Sequence, residues 1–147
     1  RKIYGTEKIS ILLRLHPNLI GKADASSLIN DESVIDVTRY HDMQELLCVS
    51  DLLITDYSSS MFDITMLNKP CMLYATDIEK YNRGYYFDFA ELPFPLARNE
   101  EELIGNICTF DSAAYEEAVE SFFEKHIGLR EDGNASKAIT GWLTRHI

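Results

Sequence analysis

The chain has 147 residues, 46% of them hydrophobic and 26% charged, with a net charge of −10. That is enough for one globular domain with a core, and the acidic balance excludes a nucleic-acid binder, which needs a basic surface. No run approaches the roughly 20 apolar residues of a membrane helix. Cys48, Cys71 and Cys108 have no disulfide or metal pattern and read as reduced core residues of a cytoplasmic protein.

The opening RKIYGTEKIS has neither an initiator Met nor the layout of a signal peptide, so the sequence is expected to be part of a longer protein. Residues 8–15 (KISILLRL) predict the first strand, with Ile9, Ile11, Leu13 and Leu15 on one face. Arg14 and His16 share the other face at the strand's C-terminal end, where Pro17 holds His16 extended. Ligands of open parallel sheets bind outside these strand ends, so a basic pair there suits a phosphate. A surface arginine beside a partly buried histidine is the other reading.

Residues 18–32 are weakly patterned and predict a short helix with loops. Residues 33–38 (SVIDVT) predict the second strand, followed by Tyr40 and His41, which offer either an aromatic wall for a base or an ordinary loop contact. Asp42 and Glu45 have the spacing of a capping box. The helix they open has Leu46, Leu47 and Val49 as its apolar face.

Residues 51–70 (DLLITDYSSSMFDITMLNKP) are the centre of the chain. Leu52, Leu53 and Ile54 predict a buried strand, which Thr55-Asp56-Tyr57 breaks. Ser58-Ser59-Ser60 then open about ten residues of helical pattern carrying Met61, Phe62, Ile64, Met66 and Leu67, closed by Pro70. The first amides of a helix lack intrahelical partners and its dipole makes that end positive, so an anion is a natural occupant. Serines there serve equally as caps for the chain's own amides; three in a row exceed what one cap requires. Asp63 lies four residues after Ser59 on the same face. A carboxylate aimed at a bound phosphate is repulsive unless hydroxyls lie between, which suits a polyol or sugar joined to that phosphate.

Residues 71–74 predict the next strand and residues 77–81 one helical turn. An aromatic stretch, residues 83–89, is either a cover over the core or a wall of the site. Pro93 and Pro95 bracket an extended piece. Residues 99–110, 112–126 and 136–146 predict three helices, the second with Tyr115, Ala118, Val119, Phe122 and Phe123 inward and Glu116, Glu117, Glu120 and Glu124 in solvent. Strands alternating with helices predict one α/β domain over residues 1–147, a Rossmann-like parallel sheet flanked by helices.

No G-x-G-x-x-G, P-loop or G-x-S-x-G motif is present, and His16, His41, His126 and His146 have no metal-ligand spacing. Neither a metal nor a cofactor is called for. Any phosphate site must use the serine-capped helix without a glycine-rich loop.

Arg14-Leu15-His16-Pro17, the run from Asp51 to Ser59, Phe62-Asp63, Lys69-Pro70, Arg83-Gly84, Asp132-Gly133 and Ala135-Ser136 occur in the order seen in the CDP-glycerol glycerophosphotransferases, the teichoic acid primases and polymerases, which the chain resembles over nearly its whole length. The resemblance implies a GT-B-like region of two Rossmann-type halves, of which this is the C-terminal, nucleotide-binding one. It implies that His16, with Arg14, meets the donor diphosphate, as do Ser58 and Ser59, and that Asp63 meets the glycerol hydroxyls. His16 is then the catalytic residue of this half, and a second essential histidine lies upstream in the other. The partners implied are CDP-glycerol, a lipid-linked polyol-phosphate acceptor and the missing N-terminal half, at the cytoplasmic face of a bacterial membrane. A CDP-ribitol or nucleotide-sugar transferase on the same scaffold, or a non-catalytic nucleotide-binding domain, stand as alternatives.

Overall fold

A computed structural model describes residues 9–19, 29, 31–81, 84, 86–128 and 133–147. Its contacts divide the chain into two compact units, Arg1–Leu46 and Leu47–Ile147. The predicted helix among residues 18–32 lies mostly outside the described residues, apart from a 3-10 turn at Pro17–Leu19.

In the first unit β1 (Ile11–Leu13) pairs in parallel with β2 (Val34–Asp36), Leu12 opposite Ile35. Both strands are shorter than the hydrophobic pattern suggests. Residues after β1 are drawn into side-chain bonds in place of the ladder: the Leu15 amide donates to Thr38 Oγ1 at 3.1 Å. The hydroxyl and amide of Thr38 in turn hold the Asp36 carboxyl below its usual range. Helix α1 (Met43–Val49) begins in this unit, its Gln44 amide capped by Asp42 Oδ1 at 2.8 Å, and its residues from Leu47 onward belong to the second. Only half of the predicted capping box forms, because the Glu45 carboxylate instead accepts the Tyr40 hydroxyl.

The second unit holds a three-stranded parallel sheet in the order β3 (Leu53–Thr55), β4 (Cys71–Tyr74), β5 (Leu96–Ala97). Between the first two runs α2 (Ser60–Thr65), which packs on both. β4 is central, and Cys71, Met72 and Leu73 are buried, which is why its sequence is apolar without alternation. Pro70 and Pro95 stand just ahead of β4 and β5. Each gives its carbonyl to the neighbouring strand, to the Leu53 and Leu73 amides, at positions where a missing N–H costs nothing. β5 itself went unpredicted, since two residues carry no periodicity.

α3 (Glu100–Cys108) and α4 (Ser112–His126) complete this unit, capped by Asn99 and Asp111 respectively, and α5 (Ala135–His146) ends the chain. Phe122 and Phe123 of α4 are buried, and Phe62 of α2 meets both, together with Phe87 and Phe94. Phe87 therefore covers the core, one of the two roles open to the aromatic stretch. Ala118, predicted inward, is exposed, as is Val49 of α1, and Ile104 of α3 is exposed too. The glutamates of α4 lie in solvent as expected.

Of the cysteines only Cys71 is a core residue; Cys48 and Cys108 are exposed, and all three are free thiols. The Cys71 amide donates to the Tyr115 hydroxyl at 3.0 Å, tying α4 to the first residue of β4. Burial pushes the Cys71 thiol up to about 12 from 9.0, and it also pushes the Tyr115 phenol upward. The folded chain thus holds these protons more tightly than the unfolded one. Their contribution to stability is complete below about pH 9 and is lost as pH rises towards 12. The thermal midpoint should therefore stay level to about pH 9 and then fall by roughly 5 °C per pH unit. A midpoint level to about pH 11 in scanning calorimetry would contradict this.

Candidate functional site

Two groups of side chains lie beyond the C-terminal ends of parallel strands, one in each unit. In the first unit Arg14 and His16 follow β1 directly. Arg14 is half-buried, and its Nη1 donates to the Tyr40 carbonyl at 2.7 Å and to that of Val37 at a marginal 3.5 Å. The guanidinium thus ties the segment after β1 to the segment after β2. Five donors on a planar fork leave others for an anion.

His16 is exposed, where the structural alternative expected partial burial. Its Nδ1 accepts the Asn18 amide at 3.2 Å in the 3-10 turn. An accepting Nδ1 carries no proton, so the neutral ring has its hydrogen on Nε2, which presents a donor to solvent. The backbone that fixes the tautomer comes from Pro17-Asn18, and the Thr38 bond to Leu15 anchors the residue before His16.

The second group surrounds the start of α2. This helix has six residues, fewer than the predicted ten, so its dipole is correspondingly small. It ends before Pro70 because Asn68 takes a left-handed conformation, φ 56°. The Asn68 amide then bonds Thr65 O, and the Lys69 amide bonds Ile64 O, the two bonds of a Schellman turn. The Lys69 ammonium reaches back to cap α1 through the carbonyls of Cys48, at 2.6 Å, and Leu47, at 3.3 Å, a favourable place for a cation.

The three serines do different things. Ser58 Oγ lies 2.8 Å from Ser60 Oγ and accepts the Ser60 amide at 3.3 Å, so it serves the turn itself. Ser60 is buried. Ser59 occupies the N-cap position with helical dihedrals and makes no side-chain cap bond. Its hydroxyl is exposed, and the backbone amides of Ser58 and Ser59 meet no acceptor among the described residues. Asp63, one helical turn on, is exposed too. The cap reading thus fits Ser58; the Ser59 hydroxyl and two amides are left for a ligand.

Sequence reasoning missed the residue just before the serines. The Tyr57 hydroxyl donates to Asp77 Oδ1 at 2.7 Å, and its ring stacks on Tyr81 with centroids 3.9 Å apart. A T-D-Y-S run offers no hint that the tyrosine reaches the loop after the next strand. Arg83 and Asp132, quoted above for the resemblance, fall outside the described residues. Among the described residues no three His, Cys, Asp or Glu side chains group as metal ligands would.

Residues 4–144 match the CDP-glycerol:poly(glycerophosphate) glycerophosphotransferase family. The chain belongs to that family. It is 42% identical over 135 residues to the teichoic acid glycerol-phosphate transferase of Staphylococcus aureus (strain NCTC 8325 / PS 47), covering 88% of this chain and 33% of that protein. It is 30% identical over 137 residues to the teichoic acid ribitol-phosphate primase of Bacillus spizizenii (strain ATCC 23059 / NRRL B-14472 / W23), covering 91% of this chain and 34% of the other. Among solved structures it is similar to the wall teichoic acid polymerase TagF, with 34% identity and a TM-score of 0.73 over 99% of this chain and 36% of that one. A histidine variant of TagF soaked with CDPG matches with 34% identity and a TM-score of 0.71, over 93% of this chain and 35% of that one. The chain spans about a third of the length of these relatives. The expected class, α/β with parallel sheets flanked by helices, is the one this family member has.

Proposed function

We propose that this glycerophosphotransferase-family chain is the donor-binding half of a larger two-lobed, GT-B-type enzyme that transfers glycerol phosphate from CDP-glycerol to a hydroxyl of a lipid-linked teichoic acid or related acceptor. The acceptor oxygen attacks the phosphorus that bears glycerol, a new P–O bond forms, the diphosphate bridge breaks, and CMP leaves. A histidine of the other half takes the acceptor's proton. Such chemistry rests on positioning and on stabilising charge that develops on phosphate oxygens.

The observation that carries the reading is the exposed Ser59 hydroxyl beside two uncommitted amides, in a member of this family. Ser58 and Ser59 receive the donor phosphates there, and Asp63 accepts hydrogen bonds from the glycerol hydroxyls. His16 donates from Nε2 and Arg14 from its remaining N–H groups to the diphosphate and departing CMP. No helix of the described residues is long and apolar enough to cross a membrane. Contact with the cytoplasmic face of the membrane is assigned to the parent protein and its lipid-linked acceptor.

Calorimetry with CDP-glycerol, CDP-ribitol and a UDP-sugar tests the donor. On this reading the full-length protein binds CDP-glycerol most tightly and turns it over, while the 147-residue chain binds it weakly and transfers nothing. Robust transfer by the isolated chain would refute the division of labour. The similarity to a ribitol-phosphate primase supports the second reading, a CDP-ribitol donor on the same scaffold, and preference for that ligand would establish it. A full-length protein that binds CDP but transfers nothing would be a binding domain.

A further inference from the structure

The turn that presents Ser58 and Ser59 is held from outside by a tyrosine–carboxylate latch. Tyr57 stands between the end of β3 and the serines, and Asp77 stands in the loop that leaves β4, the neighbouring parallel strand. Their side chains join the C-terminal ends of two adjacent strands, the edge at which α/β sheets bind ligands. The phenol donates to Asp77 Oδ1 at 2.7 Å. Stacking on Tyr81 at 3.9 Å and an edge contact with Phe89 at 5.7 Å fix the plane of the ring. Its backbone is fixed as well, because the Tyr57 amide donates to Asp56 Oδ1 at 2.7 Å.

Asp77 shows that the bond is more than incidental. It occupies the N-cap position of the 3-10 turn Ile78–Lys80, where an aspartate normally accepts one of the turn's free amides. Here it makes no side-chain cap bond; its carboxylate is turned to Tyr57 instead. A local interaction has been given up for one between two loops.

We propose that Tyr57 is a positioning residue, latched through its hydroxyl to Asp77, that sets the shape in which the Ser58–Ser59 turn receives the donor phosphates. The proposal rests on the assignment of those serines to the donor. The latch touches no ligand. Its effect falls on interactions made alike in the bound ground state and the transition state, so it acts on KM more than on kcat.

Steady-state kinetics of the full-length protein with CDP-glycerol, alongside thermal midpoints, test this. Tyr57→Phe should raise KM for the donor by about 5- to 10-fold with kcat within about 2-fold. Asp77→Ala should do the same, and the two together should do no more than either alone. Asp77→Asn, which still offers an oxygen to the phenol, should stay close to wild type. A general loss of packing would instead lower the midpoint without this pattern of rescue and non-additivity. Ser59→Ala separates the two layers of the argument. If it raises KM while Tyr57→Phe does not, the latch is refuted and the serine assignment stands. If Ser59→Ala leaves KM unchanged, the serine assignment falls and the proposal falls with it.

Discussion

Replacing His16 by alanine in the full-length protein should lower kcat for glycerol phosphate transfer by about 10³-fold, the scale on which an aligned donor to a developing anion acts. The fold should be unaffected. His16 is exposed, its recorded bond is a local one to the Asn18 amide, and surface changes of that kind stay within roughly 0.5 kcal/mol. The tautomer sharpens the test. With Nδ1 accepting from Asn18, the group offered outward is an N–H, so a glutamine, whose side-chain amide can stand in for Nε2–H, should recover part of the loss. Were His16 a proton acceptor, His16→Gln would be as poor as His16→Ala. Near-normal rates for His16→Ala would remove this residue from the mechanism altogether. The assay is radiolabelled glycerol transfer with circular dichroism of both variants.

Ile64→Ala should be the most damaging single change in α2, costing about 3–4 kcal/mol. Ile64 is 0% exposed and packs in the layer between α2 and β3–β4. Removing its outer carbons leaves a void that rigid strands on one side cannot close. Against a total stability of roughly 5–15 kcal/mol, that is a large fraction. Met66→Ala and Leu67→Ala, one turn away at 43% and 39% exposed, should each cost about 1 kcal/mol or less. Urea titration separates them: the midpoint for Ile64→Ala falls sharply with the slope unchanged. Equal losses at all three positions would mean that α2 buries a different face.

The contrast among those positions marks how far a hydrophobic pattern reaches. Met61, Phe62, Ile64, Met66 and Leu67 look equivalent as an apolar series, yet Asn68 turns left-handed and ends the helix before the last two can pack. A single αL residue is a matter of about 1–2 kcal/mol, and nothing in N-K-P requires it. Within α1, likewise, Leu46 and Leu47 are buried while Cys48 and Val49 next to them are exposed. In both units, too, a tyrosine takes a carboxylate that would otherwise cap a helix or turn: Tyr40 takes Glu45, and Tyr57 takes Asp77. The capping box was read from spacing alone, and spacing cannot register a competitor from outside the helix.

What the sequence by itself determined is the class of structure and the family. Alternating strand and helix patterns require parallel strands, and the R-L-H-P and S-D-L-L-I-T-D-Y-S-S runs identify the relatives, because both depend only on local order along the chain. It also placed Arg14, His16, Ser58, Ser59 and Asp63 at strand ends and helix starts. Only tertiary structure decided what each of them has left to give a ligand. Arg14 is partly spent on the Tyr40 carbonyl, Ser58 on Ser60, and His16 has its tautomer chosen by Asn18. Hydrogen-bonding capacity is finite at every atom, and which partner claims it is settled by distances across the fold that no spacing along the chain records.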